Sequence, residues 1–180
     1  MSALEMAKGY RVAAGLASQL RFLPDVERAA ASLFSAADLP EVLRDDTTPL
    51  DVLREAQQSE RLWVALAQDE TPVGFAYAIV LDGLPHLQEL SVNPHHGRRG
   101  IGTSLVHTVC EWANKTGARA VTLTTFRHVA WNAPFYERLG FRILSPEDLR
   151  PGLAADLRKE AQEGLDPAMR VAMRRELRDG

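Results

Sequence analysis

The sequence contains a single cysteine, Cys110, among its 180 residues. One thiol excludes an internal disulfide, and it also excludes a zinc site built from several thiolates. We therefore expect a fold that depends on its apolar core, for which a chain of this length is sufficient. We also expect no metal.

Long apolar runs are absent as well. No stretch of about 18 apolar residues occurs, and the first ten residues lack the apolar core of a signal peptide. The net charge of −3 gives no global reason to expect a nucleic acid as partner. These absences predict a cytoplasmic protein that engages neither membranes nor nucleic acids. The sequence leaves open whether the chain forms a homodimer.

Short apolar runs separated by turn residues predict a mixed α+β chain. Helices are predicted over residues 24–34, 49–58, 101–117, 132–139 and 153–164. Strands are predicted over residues 10–14, 62–67, 73–81, 84–92, 118–125, 141–144 and 168–177. The strand–helix–strand order around residue 101 implies a right-handed crossover between parallel strands.

The predicted organisation is a single domain over residues 1–180. Residues 1–9 form a loose tail in this interpretation, and residues 38–48 form a connector rich in Asp, Thr and Pro between the first two helices. Residues 145–180 supply the last helix and the last strand. In the strand over residues 73–81, small side chains alternate on one face, which would allow a helix to pack closely.

The densest motif is the turn Gly97-Arg98-Arg99-Gly100-Ile101-Gly102, between a strand and an amphipathic helix. Glycines let the backbone approach a ligand closely and adopt conformations that a side chain would block. The amides at a helix start, together with the positive end of its dipole, form a site for anions. The arginines would add charge-assisted hydrogen bonds to phosphate, unless they belong to a solvated turn.

Two common nucleotide-binding loops do not fit this turn. A Walker-type loop ends in Gly-Lys-Ser/Thr, whereas here Gly102 is followed directly by Thr103. A dinucleotide-binding fingerprint has a different glycine spacing and lies early in a βαβ unit. This turn instead follows three strands that are predicted to be antiparallel. The pyrophosphate of another coenzyme is therefore the favoured ligand.

Two segments resemble the central motifs of the GNAT acetyltransferases, which transfer an acetyl group from acetyl-CoA to an amine. Residues 87–102 match an apolar-x-Glu-Leu-x-Val-x-Pro strand followed by the glycine loop, and Tyr136–Phe141 match Tyr-x-x-x-Gly-Phe. The resemblance implies a mostly antiparallel sheet of about six or seven strands, flanked by about four or five helices. It also implies one parallel strand pair at the coenzyme site, with acetyl-CoA as co-substrate.

The resemblance also implies roles for individual residues. Glu89 would be the general base that acts through water, and Tyr136 would protonate the leaving thiolate. The coenzyme-binding positions would be Leu90, Ser91, Val92, Gly97, Arg98, Arg99, Gly100, Ile101, Gly102, Thr103 and Asn132. Transfer would be direct, because Cys110 is predicted on or near the buried face of its helix and makes a poor acyl carrier.

Two positions depart from the family pattern. Gly97 stands where the loop usually begins with Gln or Arg, and Val129 stands where the family commonly has Asn. Asn132 lies four residues before Tyr136 and is also predicted to cap the short helix that follows it.

Each assignment has a structural alternative. The alternative for Glu89 is a solvated strand residue, and the alternative for Tyr136 is a helix residue that packs against the core. The predicted reaction is acetylation of a primary amine of a small molecule or peptide. The alternative for the whole chain is a catalytically silent acyl-CoA-binding or regulatory domain.

Overall fold

The computed structural model describes residues 6–177 and contains seven strands and six α-helices in this range. The strands are β1 Arg11–Ala14, β2 Leu62–Leu66, β3 Pro72–Leu81, β4 Leu84–Val92, β5 Ala120–Phe126, β6 Arg142–Ile143 and β7 Arg170–Glu176. The helices are α1 Leu23–Ala31, α2 Glu41–Arg44, α3 Leu50–Gln58, α4 Ile101–Lys115, α5 Ala133–Arg138 and α6 Pro151–Gln162. No helix of the described residues is long and apolar enough to cross a membrane.

The strands form one sheet in the order β1-β2-β3-β4-β5-β7-β6, mostly antiparallel, in which β4 and β5 are parallel. This arrangement confirms the predicted mixed fold, including the parallel pair on either side of the crossover helix α4. The chain divides into two compact units, Met1–Ile79 with Gln88–Glu111 and Val80–Leu87 with Trp112–Gly180.

The predicted connector over residues 38–48 contains a short helix, α2, that the sequence interpretation did not include. Four residues carry too little periodicity to reveal a helix. The first predicted helix also ends earlier than expected, at Ala31. Beyond Ala31, the amides of Leu33 and Phe34 donate to the carbonyls three residues earlier, those of Ala30 and Ala31, at 3.2 and 3.1 Å. These bonds span three residues instead of the four of an α-helix.

In the first unit, apolar side chains from the 3-10 helix Ala17–Phe22, α1, α3, β2 and β3 form one buried cluster. Its members are Leu20, Leu23, Val26, Leu53, Ala56, Leu62, Val64, Leu66, Phe75 and Tyr77. Burial of a large aliphatic or aromatic side chain contributes roughly 1.5–3 kcal/mol relative to exposure. The cluster therefore holds α1 and α3 against the strands of this unit.

In the second unit, β5 is the central strand. It pairs in parallel with β4 at His86↔Thr122 and antiparallel with β7 from Ala120↔Glu176 to Phe126↔Arg170. The ring of His86 is buried, and its Nδ1 lies 2.9 Å from the Thr122 hydroxyl. Burial lowers the pKa of His86 to about 4, so this histidine is neutral at physiological pH.

Four helices end in the same type of C-terminal cap, in which a left-handed residue follows the helix. In α4, Gly117 donates to the carbonyl of Asn114 and Ala118 donates to that of Ala113, both at 3.0 Å. The left-handed residues that end α3, α4, α5 and α6 are Glu60, Gly117, Gly140 and Gly164. Glycine is favoured at this position because it has no Cβ, which confirms the three predicted glycine stops.

The turn between β3 and β4 supplies the N-terminal cap of α6. Asp82 is left-handed, with φ of 53°, and its two carboxylate oxygens accept the amides of Gly152 and Leu153 at 2.8 and 2.9 Å. These amides belong to the first turn of α6, which has no acceptors of its own for them. The turn of one hairpin therefore determines where α6 begins.

We expect Asp82→Ala to lower the free energy of unfolding by about 1–2 kcal/mol, because it removes the cap and strains a left-handed position. Asp82→Asn should cost less, since asparagine tolerates this conformation and keeps one acceptor. Urea denaturation of both variants measures the difference. Equal losses in the two variants would contradict the capping role.

Candidate active site

The loop between β4 and α4 contains two left-handed residues, Arg98 with φ of 58° and Gly100 with φ of 74°. It begins with a single 3-10 turn over Pro94–His96, in which Gly97 donates to the carbonyl of Pro94 at 3.0 Å. A Cβ on Gly97 would stand 3.1 Å from that same oxygen. The tight turn thus gives a local reason for glycine at the position where the sequence departs from the family pattern.

The amino-terminal end of α4 carries amides that the helix does not use. The first helical bond runs from Ser104 N to Gly100 O at 2.9 Å. The amides of Ile101, Gly102 and Thr103 consequently have no acceptor within the helix. Helix starts of this kind, preceded by left-handed turns, form concave sites for phosphate groups. The geometry of the loop therefore fits the anion that the sequence predicts.

Arg99 is held by the N-terminal segment. Its guanidinium donates to the hydroxyl of Tyr10 and lies 5.5 Å from the centre of that ring. The hydroxyl of Tyr10 is also 2.9 Å from Nδ1 of His96, and Ala7 N donates to Arg99 O at 2.9 Å. The described end of the tail predicted to be loose is thus bonded to the loop. The residues before Met6 lie outside the described range.

Glu89 and Ser91 alternate on the same face of β4, and the two side chains are bonded to each other. The Ser91 hydroxyl donates to Oε1 of Glu89 at 2.7 Å. Ser91 is buried and Glu89 is half-buried, whereas Leu90 and Val92 point to the opposite face, as expected for a strand. The carboxylate proposed as a base is therefore oriented by a neighbouring hydroxyl.

Gly74 permits close packing of three elements at this end of the sheet. A Cβ at position 74 would lie 3.1 Å from Ser91 O, 3.3 Å from Cγ2 of Val92 and 3.4 Å from Cγ2 of Ile101. Ile101 is the first residue of α4 and is itself buried. The small-residue face predicted on this strand thus receives the start of a helix at Gly74.

In the second unit, the Tyr-x-x-x-Gly-Phe motif forms the C-terminal cap of α5. Phe141 N donates to Tyr136 O at 3.1 Å, and Gly140, with φ of 86°, donates to Glu137 O at 3.0 Å. The rings of Tyr136 and Phe141 pack edge-on with their centres 5.7 Å apart. This is the apolar contact that accompanies such caps. Tyr136 is 8% exposed and also packs edge-on against Phe135.

Asn132 occupies the N-cap position of α5 but its side chain does not cap the helix, so that prediction is wrong. Its Oδ1 accepts a hydrogen bond from the Thr125 hydroxyl at 2.6 Å instead. Thr125 lies on β5, seven residues earlier, and this competing donor could not be identified from local spacing. Val129, at the position where the family commonly has Asn, is buried.

Glu27 on α1 is a functional candidate that the sequence interpretation missed. Its carboxylate accepts the amide of Thr48 at 2.8 Å and the hydroxyl of Thr48 at 3.1 Å. Burial, with a further contribution from the charge of Glu89, raises the pKa of Glu27 to about 7. The only sequence signal was an acidic residue beside Val26, inside an otherwise apolar helix stripe.

Comparison with known proteins identifies the family. The model of the "Acetyltransferase (GNAT) family" matches residues 26–141. The chain belongs to the GNAT acetyltransferase family. The matched range contains Glu27, Glu89, the loop and the Tyr136–Phe141 motif.

Solved structures of GNAT proteins share the fold. A GNAT acetyltransferase from Staphylococcus aureus Mu50 is 19% identical, with a TM-score of 0.73 over 94% of this chain and 99% of that one. The PaiA N-acetyltransferase from Thermoplasma acidophilum, in complex with coenzyme A, is 18% identical, with a TM-score of 0.68 over 93% and 99%. The ribosomal-protein-S18-alanine N-acetyltransferase from Escherichia coli is 16% identical, with a TM-score of 0.65 over 93% of each chain.

Two further observations concern groups outside the GNAT motifs. Cys110 is 5% exposed, on the buried side of α4. Among residues 6–177, no group of three or more His, Cys, Asp or Glu side chains is arranged to hold a metal ion.

The raised pKa of Glu27 predicts a pH-dependent stability. A carboxyl group whose pKa rises on folding, here from 4.5 to about 7, binds its proton more tightly in the folded state. Its contribution to stability is therefore complete below pH 4.5 and is lost as the pH rises to about 7. Glu27→Gln should abolish this loss, because the amide is uncharged and can still accept from Thr48 N and donate to its hydroxyl.

We expect the melting temperature of Glu27→Gln, relative to the wild type, to be higher at pH 8 than at pH 5. Differential scanning calorimetry at both values measures this difference. Asp25→Asn is the matched control, since it removes an exposed carboxylate from the same helix. A pH-independent difference for Glu27→Gln would contradict the raised pKa.

Proposed function

We propose that this GNAT protein is an acetyl-CoA-dependent N-acetyltransferase that transfers the acetyl group directly to a primary amine of a small molecule or peptide. The observation that carries the proposal is the amino-terminal end of α4. There, the amides of residues 101–103 have no acceptor within the helix, and they follow the left-handed residues Arg98 and Gly100 in the chain. The proposal also includes a single domain over residues 1–180, a cytosolic location and a reaction that needs no metal.

The residues of the loop fit the charged end of the coenzyme. In the proposal, the amides of residues 98–103 bind its pyrophosphate, and Arg98 and Arg99 add positive charge. Gly97 closes the preceding turn and so sets the direction of the loop. Arg99 is already oriented by Tyr10, which reduces the entropy that its side chain would lose on binding.

The strand β4 supplies the remaining groups of the first unit. Backbone groups of Leu90, Ser91 and Val92 are proposed to bind the pantetheine arm and to polarise the acetyl carbonyl. Glu89, oriented by the Ser91 hydroxyl, removes a proton from the amine through water. In the second unit, Asn132 is proposed to contact the coenzyme.

Acetyl-CoA, when bound, supplies a thioester whose carbonyl carbon the amine attacks. Tyr136 is proposed to donate its phenolic proton to the departing sulfur, as the family resemblance implies. The ring of Tyr136 is held at the end of α5, because it packs against Phe141 in the cap of that helix. Transfer through a cysteine is disfavoured, because the buried thiol of Cys110 is a poor nucleophile.

We expect acetyl-CoA to raise the melting temperature of the wild type, by an amount that corresponds to about 2.7 kcal/mol at 100 times its Kd. Gly100→Ala should reduce this increase, because alanine disfavours the left-handed backbone that aims the amides of α4. Gly83→Ala is the matched control: Gly83 has the same φ of 74°, and nothing lies within 4 Å of a Cβ built there.

Both glycine variants should lose intrinsic stability, but only Gly100→Ala should lose the response to acetyl-CoA. Thermal denaturation with increasing acetyl-CoA measures both effects. A wild-type melting temperature that does not respond to acetyl-CoA would remove the basis of the proposal. An equal loss of response in both variants would contradict the claim that the left-handed conformation at Gly100 is needed for acetyl-CoA binding.

Turnover is tested by thiol release from acetyl-CoA with n-butylamine, putrescine, L-lysine, alanine amide and aniline. We expect Glu89→Gln to lower kcat by about 10²-fold on the amines that are acetylated, and Tyr136→Phe to lower it at least about tenfold. Acetyl-CoA binding measured by calorimetry should persist in both variants, which separates chemistry from binding.

The buried packing of Tyr136 favours one rival, a catalytically silent acyl-CoA-binding domain in which this ring only caps α5. Tight acetyl-CoA binding without turnover on any amine would support that rival. Turnover that neither Glu89→Gln nor Tyr136→Phe changes would instead exclude that rival and contradict the roles proposed for these two residues.

A further inference from the structure

Tyr10 connects two residues of the loop between β4 and α4. Its hydroxyl accepts a hydrogen bond from the guanidinium of Arg99 and lies 2.9 Å from Nδ1 of His96. The rings of Tyr10 and His96 also pack edge-on, with their centres 5.7 Å apart. His96 and Arg99 flank the turn of residues 97–98, so a single phenol braces both sides of that turn.

The backbone of the N-terminal segment holds Arg99 as well. Ala7 N donates to the carbonyl of Arg99 at 2.9 Å, and Gly9, with φ of 88°, lies in the turn between Ala7 and Tyr10. The segment over residues 7–10 thus contacts Arg99 through both its backbone and a side chain. Because Tyr10 directly precedes β1, which pairs with β2, this segment is anchored to the sheet.

The hydrogen bonds of this cluster run in one direction, from Arg99 to Tyr10 to His96. A guanidinium only donates, so the phenolic oxygen accepts from it. The hydrogen of the phenol then has Nδ1 of His96 as its acceptor, which requires the ring hydrogen of this histidine to be on Nε2. His96 therefore orients the hydroxyl of Tyr10, and that hydroxyl orients Arg99.

Arg99 keeps its positive charge uncompensated in this arrangement, because its partner is a phenol. A carboxylate would fix the guanidinium equally well, but it would offset the charge that attracts an anion. Within residues 6–177, Arg99 forms no ion pair with a carboxylate. Several other arginines do, namely Arg11 with Glu70, Arg28 with Asp25, Arg142 with Asp148, Arg170 with Glu160 and Arg174 with Glu176.

A cation that is held in place without being neutralised suits a phosphate group. Arg99 directly precedes Gly100, and the next three residues carry the amides that α4 leaves without an acceptor. An exposed arginine that moves freely loses side-chain entropy when it binds a ligand, whereas one that is already held loses less. Tyr10 and His96 supply this restraint from outside the helix.

We propose that Tyr10 and His96 are positioning residues for the coenzyme, which hold Arg99 in place for its pyrophosphate. The inference rests on the acetyl-CoA binding of the proposed function and adds the N-terminal segment to the coenzyme site. Arg99 contacts the phosphate, and the other two residues act through Arg99.

Calorimetric titration with acetyl-CoA tests the role of Tyr10. Tyr10→Phe removes the hydroxyl but keeps the ring, and it should raise the Kd about three- to tenfold, the range expected when one free side chain must be ordered. Without ligand, its melting temperature should fall by no more than about 4 °C. Arg11→Gln is the matched control, since it changes the next residue, an exposed partner of Glu70, and its Kd should stay within about twofold of the wild type.

A double-mutant cycle shows whether Tyr10 acts through Arg99. Arg99→Ala should raise the Kd at least about tenfold, because it removes charge-assisted hydrogen bonds to the ligand. In this background, Tyr10→Phe should change the Kd by less than about twofold. Equal effects of Tyr10→Phe in the two backgrounds would show that the hydroxyl does not act through Arg99, and would overturn the inference.

His96 allows a rescue experiment. His96→Ala removes the acceptor of the phenolic hydrogen and should raise the Kd as Tyr10→Phe does. His96→Asn also removes the ring, but it places Oδ1 close to the former position of Nδ1, so it should restore most of the affinity. Equal Kd values for the two variants would contradict the role of His96 as the acceptor.

The two phosphate groups of the coenzyme are distinguished with 3′-dephospho-acetyl-CoA, which retains the pyrophosphate and lacks the 3′-phosphate. Tyr10→Phe should raise the Kd of this ligand by the same factor as that of acetyl-CoA. A loss of affinity confined to acetyl-CoA would assign Arg99 to the 3′-phosphate and overturn the inference.

The outcomes separate the inference from the proposed function. An unchanged Kd in Tyr10→Phe would overturn the inference alone, and so would a lower Kd, which would show that the phenol holds Arg99 away from the ligand. A wild type that binds acetyl-CoA without acetylating any amine would contradict only the proposed transfer, because the titrations need no turnover. A wild type that does not bind acetyl-CoA would overturn both.

Discussion

The close approach of α4 to β3 and β4 constrains the geometry of the loop between β4 and α4. The first residue of the helix, Ile101, packs so near to Gly74 that a Cβ there would be in contact with it. The eight-residue loop between β4 and α4 must therefore bring the helix start back against β3, and it enters the helix through a left-handed residue, Gly100. Because the helix starts at this depth in the sheet, its unused amides lie next to the strand that carries Glu89.

Local pattern accounts for most of the elements. Apolar runs between turn residues located all seven strands, and glycines at Gly117, Gly140 and Gly164 marked the ends of three helices. These features are predictable because they depend on neighbours in sequence: alternation in a strand, or a left-handed residue after a helix. The short helix α2 lacks such periodicity and was not predicted.

The contacts that shape the candidate site are mostly long-range, and local pattern does not reveal them. Arg99 and Tyr10 are 89 residues apart, and Glu27 and Thr48 are 21 residues apart. Asn132 illustrates the same limit over a shorter distance, because a hydroxyl on β5 takes the oxygen that would otherwise cap α5. The sequence indicated which residue types bear the chemistry, whereas their hydrogen-bond partners depend on the tertiary structure.

The cap of α5 changes how much the Tyr-x-x-x-Gly-Phe pattern tells about chemistry. Glycine is required there by a left-handed backbone, and the two rings that flank it seal the end of the helix. A protein that had lost turnover would still need this seal in order to fold. The presence of the pattern therefore indicates the fold. It distinguishes an active enzyme from an inactive relative only together with residues that the fold does not require.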